Sequence, residues 1–211
     1  MAGARRMVGA DPCRRRRSAA VHAGGEGGGP MTAAIVGGVP VPVHDVDARE
    51  ARLRSSRLAS ALPRPGTSEG RQLRRWLTQL LVTERVVAAE ADARGLGADG
   101  APTEDDLLPD MTARLEIGSV AAAILGDALA RALFVRVTES VDVTDEAVAA
   151  YDARNPSRFP DTAHVAEHLR AVARRRAFRL WLDARCAELV ELAPGYEHPG
   201  DPRQPDNTHR H

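Results

Sequence analysis

The chain has 211 residues, with 29 basic and 29 acidic side chains and no formal net charge at neutral pH. Such a balance supplies no field to draw it to nucleic acid or to a membrane surface. Lysine is absent, so arginine carries all the permanent positive charge, and only 3% of residues are aromatic. A core of this size must then be aliphatic and alanine-rich, which favours helices over a β-sandwich.

The opening MAGARRMVGADPCRRRRSAAVHAGGEGGGP has arginines but no apolar stretch behind them. It is not a secretory signal and reads as a disordered extension over residues 1–30. Apolar content begins abruptly at Met31, which competes with Met1 as the start of translation. Cys13 and Cys186 make neither a disulfide framework nor a CxxC motif. No run of about 18 apolar residues occurs, so no membrane helix is expected and the expected location is the cytoplasm.

From Ala34 to Val43 the segment AIVGGVPVPV is β-branched and broken by Gly and Pro, which suits a short edge strand with a turn. HDVDAREARLRSSRLASAL predicts a first helix, with Val46, Leu53, Leu58 and Leu62 on one face. The clearest helix is SEGRQLRRWLTQLLVTERVVAAEADARG, where Leu73, Trp76, Leu77, Leu80, Leu81 and Val87 form a wide apolar stripe. Thr67 or Ser68 caps its start and Gly95 its end. TEDDLL is another capped start, stopped by Pro109. MTARLEIGSVAAAILGDALARALFVRVTES gives one long or two short helices with weak points at Gly118 and Gly126. Its expected inward residues include Leu115, Ile124, Leu125 and Leu133. VTDEAVAAYDARNPSRF is a compact helix capped by Thr144 and ended by Asn155-Pro156. A last helix is expected from about Thr162 to Leu189, carrying Val165, Leu169, Val172, Phe178, Trp181 and Leu182. LVELAPGYEHP then leaves it extended, able to pair with the strand near Ile35. The fold class is mainly α, with a short β ribbon pairing N- and C-terminal segments.

Four features carry candidate chemistry. GTSEG (Gly66 to Gly70) matches the G-x-S-x-G nucleophile elbow, which would make Ser68 an acyl-transfer nucleophile of the malonyl-CoA:acyl-carrier-protein type. The elbow needs a strand before it, and LPRP is not one; Thr-Ser capping a helix is the simpler reading. HVAEH (His164 to His168) matches H-x-x-E-H, placing two imidazoles on one helical face for zinc, with Glu167 as base. The tail YEHPGDPRQPDNTHRH, over residues 196–211, adds His198, Asp201, Asp206, His209 and His211. Folded back on the last helix, it would complete a zinc ligand set. Otherwise it is a disordered or docking tail. Arg74-Arg75 and Arg174 to Arg176 read as solvated faces, and Trp76 and Trp181 as core.

The order of elements resembles the SurA- and PrsA-like peptidyl-prolyl isomerase chaperones over Ala34 to Leu192. AIVGGVPVPVHDVDARE is similar to that family's opening strand and helix start, with Gly38 and Asp45-Val46 in place. LRRWLTQLLVTERVVAAEADARGLG is similar to its long helix. VTDEAVAAYDARNPSRF matches its segment at Thr144, Asp145, Glu146, Val148, Tyr151, Asn155, Pro156 and Phe159. In that family a parvulin domain of about a hundred residues follows the phenylalanine; here PDTAHVAEHLRAVARRRAFRLWLDARCAEL comes at once. The resemblance therefore implies a SurA-N-like helical domain over residues 31–195 without its isomerase. It implies a non-catalytic chaperone or protein-binding module, with a protein client as partner and no isomerase residues. The Arg-, Ala-, Gly- and Val-rich usage is that of a high-GC genome, as in actinobacteria. The shape and tail resemble accessory proteins of actinobacterial aromatic-polyketide pathways, which implies a biosynthetic enzyme as client. A homodimer through the long helices is the remaining alternative.

Overall fold

The computed structural model describes residues 32–201. The expectations for residues 1–30, Met31, Cys13, Asp206, His209 and His211 lie outside them. Strands β1 (Thr32–Val36) and β2 (Val39–Pro42) form a hairpin, followed by α1 (Val43–Arg54), α2 (Ser68–Ala93), α3 (Glu104–Leu107) and α4 (Met111–Ile117). Then come α5 (Ser119–Ile124), α6 (Ala128–Val137), α7 (Asp145–Arg154), α8 (Thr162–Leu189) and β3 (Val190–Leu192). The described chain is mostly helical, with one three-stranded antiparallel sheet in the order β2-β1-β3.

The hairpin turns on Gly37 and Gly38, both at positive φ (56° and 84°), the two-residue geometry that follows the twist of the strands. β1 pairs with β2 on one side and β3 on the other, Ile35 facing Pro40 and Glu191 respectively. The ribbon expected between the two ends of the domain is present. β1 is nevertheless its central strand rather than an edge. Pro40 and Pro42 fall on β2, where a missing N–H costs no ladder bond to the centre.

The first helix stops at Arg54, short of the expected run. Leu58 is exposed beyond it, so Val46 is the main apolar residue that α1 buries. The stretch expected as one or two helices is three, broken at Gly118 and Gly126. Leu115 points to solvent at 74% exposure, and Ala113 and Ile117 take the inward positions. α8 has the expected bounds, capped by Asp161 onto the His164 N–H.

α2 is the hub. Its Leu77, Leu80 and Val87 join Ile117, Leu125, Leu133 and Phe178 in the main core. Its Val82 and Val86 form a second cluster with Ala34, Val36 and Val41 of the sheet. The helix is thus buried on more than one side, and polar residues come inside with it. Thr78 and Thr83 donate their hydroxyls to the carbonyls of Arg74 and Gln79, four residues back. Glu90, 5% exposed, accepts from Arg94, just past the end of its own helix, and from Arg185 of α8. Burial alone raises the Glu90 carboxyl, but bonds from Arg185 and Arg94 outweigh it and hold it below its ordinary value.

Two outcomes follow. Phe178, fully buried with its ring 5.0 Å from that of Phe134, should cost about 3–5 kcal/mol when cut to alanine, read by denaturant unfolding. Glu90 is depressed in the folded state, so its contribution is present above the ordinary carboxyl value of 4.5. It is lost as pH falls through the lower folded value. Glu90→Gln should therefore flatten the acid limb of stability against pH, measured by the same unfolding at stepped pH.

Candidate functional site

α4 lies against α8, and the α7–α8 connection forms another wall of a cleft of about 600 Å³ between them. Local rules build that wall. Thr144 caps α7 by accepting the Ala147 N–H, and the Asn155 side-chain amide donates to the Tyr151 carbonyl at the far end. Pro156 forbids another turn. Ser157 then takes a left-handed φ of 65°, the one such non-glycine among the described residues, and the chain reverses.

Phe159 is thereby brought back onto Tyr151, with ring centroids 6.3 Å apart. His168 of α8 completes the group, 5.8 Å from Tyr151 and 5.0 Å from Phe159. The guanidinium of Arg158 lies over both rings, 6.0 Å from the Tyr151 centroid and 5.7 Å from that of Phe159. Asp106, Asp110, Glu116 and Glu167 bring carboxylates to the same cleft. Arg175, 6% exposed, gives Nε and Nη2 to Glu116 Oε2 at 3.1 and 2.8 Å, so α4 and α8 are tied across the cleft. Arg75 and Arg175 were expected on solvated faces and are both buried. Each follows from its helix having neighbours on more than one side.

The two histidines of HVAEH share this cleft but differ in circumstance. His164 Nδ1 lies 2.8 Å from Asp161 Oδ1, and that hydrogen bond and charge raise its pKa. His168 is lowered, first by burial and then by Arg158 and Arg175, with Glu116 and Asp110 acting the other way. His198 is not with them. It lines a separate cavity of about 340 Å³ beside Thr83, Asp183 and Cys186, and its Nδ1 accepts the Gly200 N–H at 3.0 Å. At 1.5 Å per residue, α8 carries Asp183 about 22 Å from His168. Among the described residues no group of three or more His, Cys, Asp or Glu is placed to hold a metal.

Ser68 opens α2 after the irregular residues 62–67, so no strand feeds the GTSEG turn. Both glycines of the motif have local causes. Gly66 has φ 82°, and a Cβ on Gly70 would overlap the Arg64 carbonyl. Thr67 is the cap, accepting the Gly70 N–H at 3.1 Å. His44, His164 and His198 are engaged with Asp45, Asp161 and Gly200 rather than with Ser68. The Cys186 thiol is half-buried, and burial pushes its pKa up, which disfavours the reactive thiolate.

On the other side of α8, Val143, Ala147, Ala177 and Leu180 line a shallow apolar groove of about 380 Å³. Leu169 and Val172 line both this groove and the cleft, so the two are continuous across α8. Leu180 is 52% exposed, and on α4 Met111 and Leu115 stand out at 67% and 74%. The sequence signal for this surface was present but divided. Tyr151 and Phe159 lay in one motif, the histidine pair in another, and nothing local joined them.

The opposed imidazoles give a test. In an NMR titration His164 should have its midpoint above an ordinary imidazole and His168 below it. The stability tied to His164 is present below the ordinary value of 6.5 and lost as pH rises through its folded value. That tied to His168 is present above 6.5 and lost as pH falls through its folded value. Asp161→Asn should bring the His164 midpoint down and leave His168 in place.

One family model, described as a family of unknown function (DUF7158), matches residues 32–69, which span the hairpin, α1 and the cap of α2. No curated protein and no solved structure matches the chain.

Proposed function

We propose that the protein is a non-catalytic, chaperone-like binding module of SurA-N type without an isomerase, which holds an extended segment of another protein. The observation that carries this reading is the surface continuous across α8, where Leu169 and Val172 are shared by the cleft and the apolar groove and Leu180 stands half exposed at the groove. Large apolar side chains exposed around a groove cost solubility and are typical of surfaces that another chain covers. The resemblance of VTDEAVAAYDARNPSRF to the chaperone segment supports the reading. So does the direct passage from Phe159 into α8, which leaves no room for an isomerase domain between them. An enzyme of aromatic-polyketide biosynthesis is the first client to try, on the resemblance of composition and tail.

The test is dilution of a chemically unfolded reporter enzyme into the protein, followed by light scattering. Aggregation should fall in proportion to the protein added. Leu180→Arg and Leu169→Arg, each with unchanged circular dichroism, should reduce the effect by more than half. Undiminished aggregation, with sizing that shows a stable dimer lost in both variants, would assign the surface to a second copy instead.

A further inference from the structure

The aromatic floor of the cleft already holds a cation, and it is the protein's own. Arg158 is solvent-exposed, yet its guanidinium lies within 6.0 Å of both the Tyr151 and Phe159 ring centroids. At that range the negative face of a ring attracts positive charge. Among the described residues no ion pair engages Arg158, although four carboxylates line the same cleft. The other guanidinium there, Arg175, is buried and committed to Glu116. Asp106, Asp110 and Glu167 then outnumber the remaining cationic groups of the cleft, Arg158 and His164, an excess of negative charge in a cleft with an aromatic floor. Hydrogen bonds from Thr103 hold the Asp106 carboxyl below its ordinary value.

We propose that the cleft receives an arginine side chain from the client segment, whose neighbouring apolar residues lie in the groove across α8. The incoming guanidinium takes the place over Tyr151 and Phe159 that Arg158 fills in the free protein, and its N–H groups donate to the Glu167 and Asp110 carboxylates. Arginine fits better than lysine because a planar guanidinium stacks on rings while donating in its own plane. Arg158 then acts as a resident competitor. Displaced, it is free to reach the carboxylates at the rim. This inference rests on the protein-binding reading and names the chemistry of the partner.

The test uses an acetylated, amidated peptide with one arginine flanked by leucines and valines, and the same peptide with citrulline in its place. Each is titrated into the isotope-labelled full chain and followed by NMR. The arginine peptide should bind more tightly, shifting the amides of Ser157 to Phe159, and should weaken as salt is raised. Glu167→Gln, on an exposed stretch of α8, should weaken it about threefold. Arg158→Ala should strengthen it about threefold, the reverse of what loss of a direct contact would give. Equal binding of the two peptides, or an Arg158→Ala variant that binds no better, overturns the inference. If both peptides bind equally and Leu180→Arg abolishes both, the protein-binding reading stands and the arginine site falls. If neither peptide binds and the unfolded reporter still aggregates, both fall.

Discussion

The architecture depends on α2 being enclosed. With so few aromatic residues, the core is filled by Leu, Val and Ala, and these small side chains fill space only when several elements approach one helix closely. α2 accordingly meets the sheet, α1, α5, α6 and α8. Enclosure brings polar groups inside, and each must find a partner there. The two threonines turn their hydroxyls back on their own helix, and Glu90 gathers two guanidiniums, one of them from α8. That contact ties α8 to α2, while α4 and α7 pack against α8 and enclose the cleft.

The absence of lysine suits this arrangement. A guanidinium offers several N–H donors in a fixed plane and can join elements that an ammonium could not. Arg74 reaches both Asp47 and Glu50 of α1. Arg131 closes three carbonyls, those of Pro102, Leu125 and Gly126, at the start of α6. Arg175 joins α8 to Glu116 and to the Leu107 carbonyl. Much of the even balance of charge is therefore internal structure. Arg158 departs from this use, resting on aromatic faces where Arg74, Arg131 and Arg175 meet oxygen.

Two short motifs that suggest catalysis on their own acquire different meanings in the fold. GTSEG is a helix start whose glycines answer a left-handed turn and a close backbone approach. HVAEH contributes one imidazole to an aromatic group and ties the other to the helix cap. What the fold builds around HVAEH is a surface, with an apolar groove on one side of α8 and rings and carboxylates lining the cleft on the other.

Much of the local structure was determined by the sequence alone. Thr67, Thr103, Thr144 and Asp161 start their helices through bonds reaching three residues ahead, and Asn155-Pro156 ends α7 within the same span. Such signals are complete within one turn of chain, so the bounds of α8 and the pairing of β1 with β3 could be anticipated. Which face each element buries was decided by tertiary structure. Leu115 and Ala113 are equally compatible with α4 until α8 and α5 take their places, and Arg175 becomes a buried tie only because Glu116 stands opposite. β1 is central because a strand from the far end of the chain returns to it. The meeting of Tyr151, Phe159 and His168 required the reversal at Ser157 and the docking of α8 together. No local pattern encodes that conjunction, because it is set by the packing of elements distant in the chain.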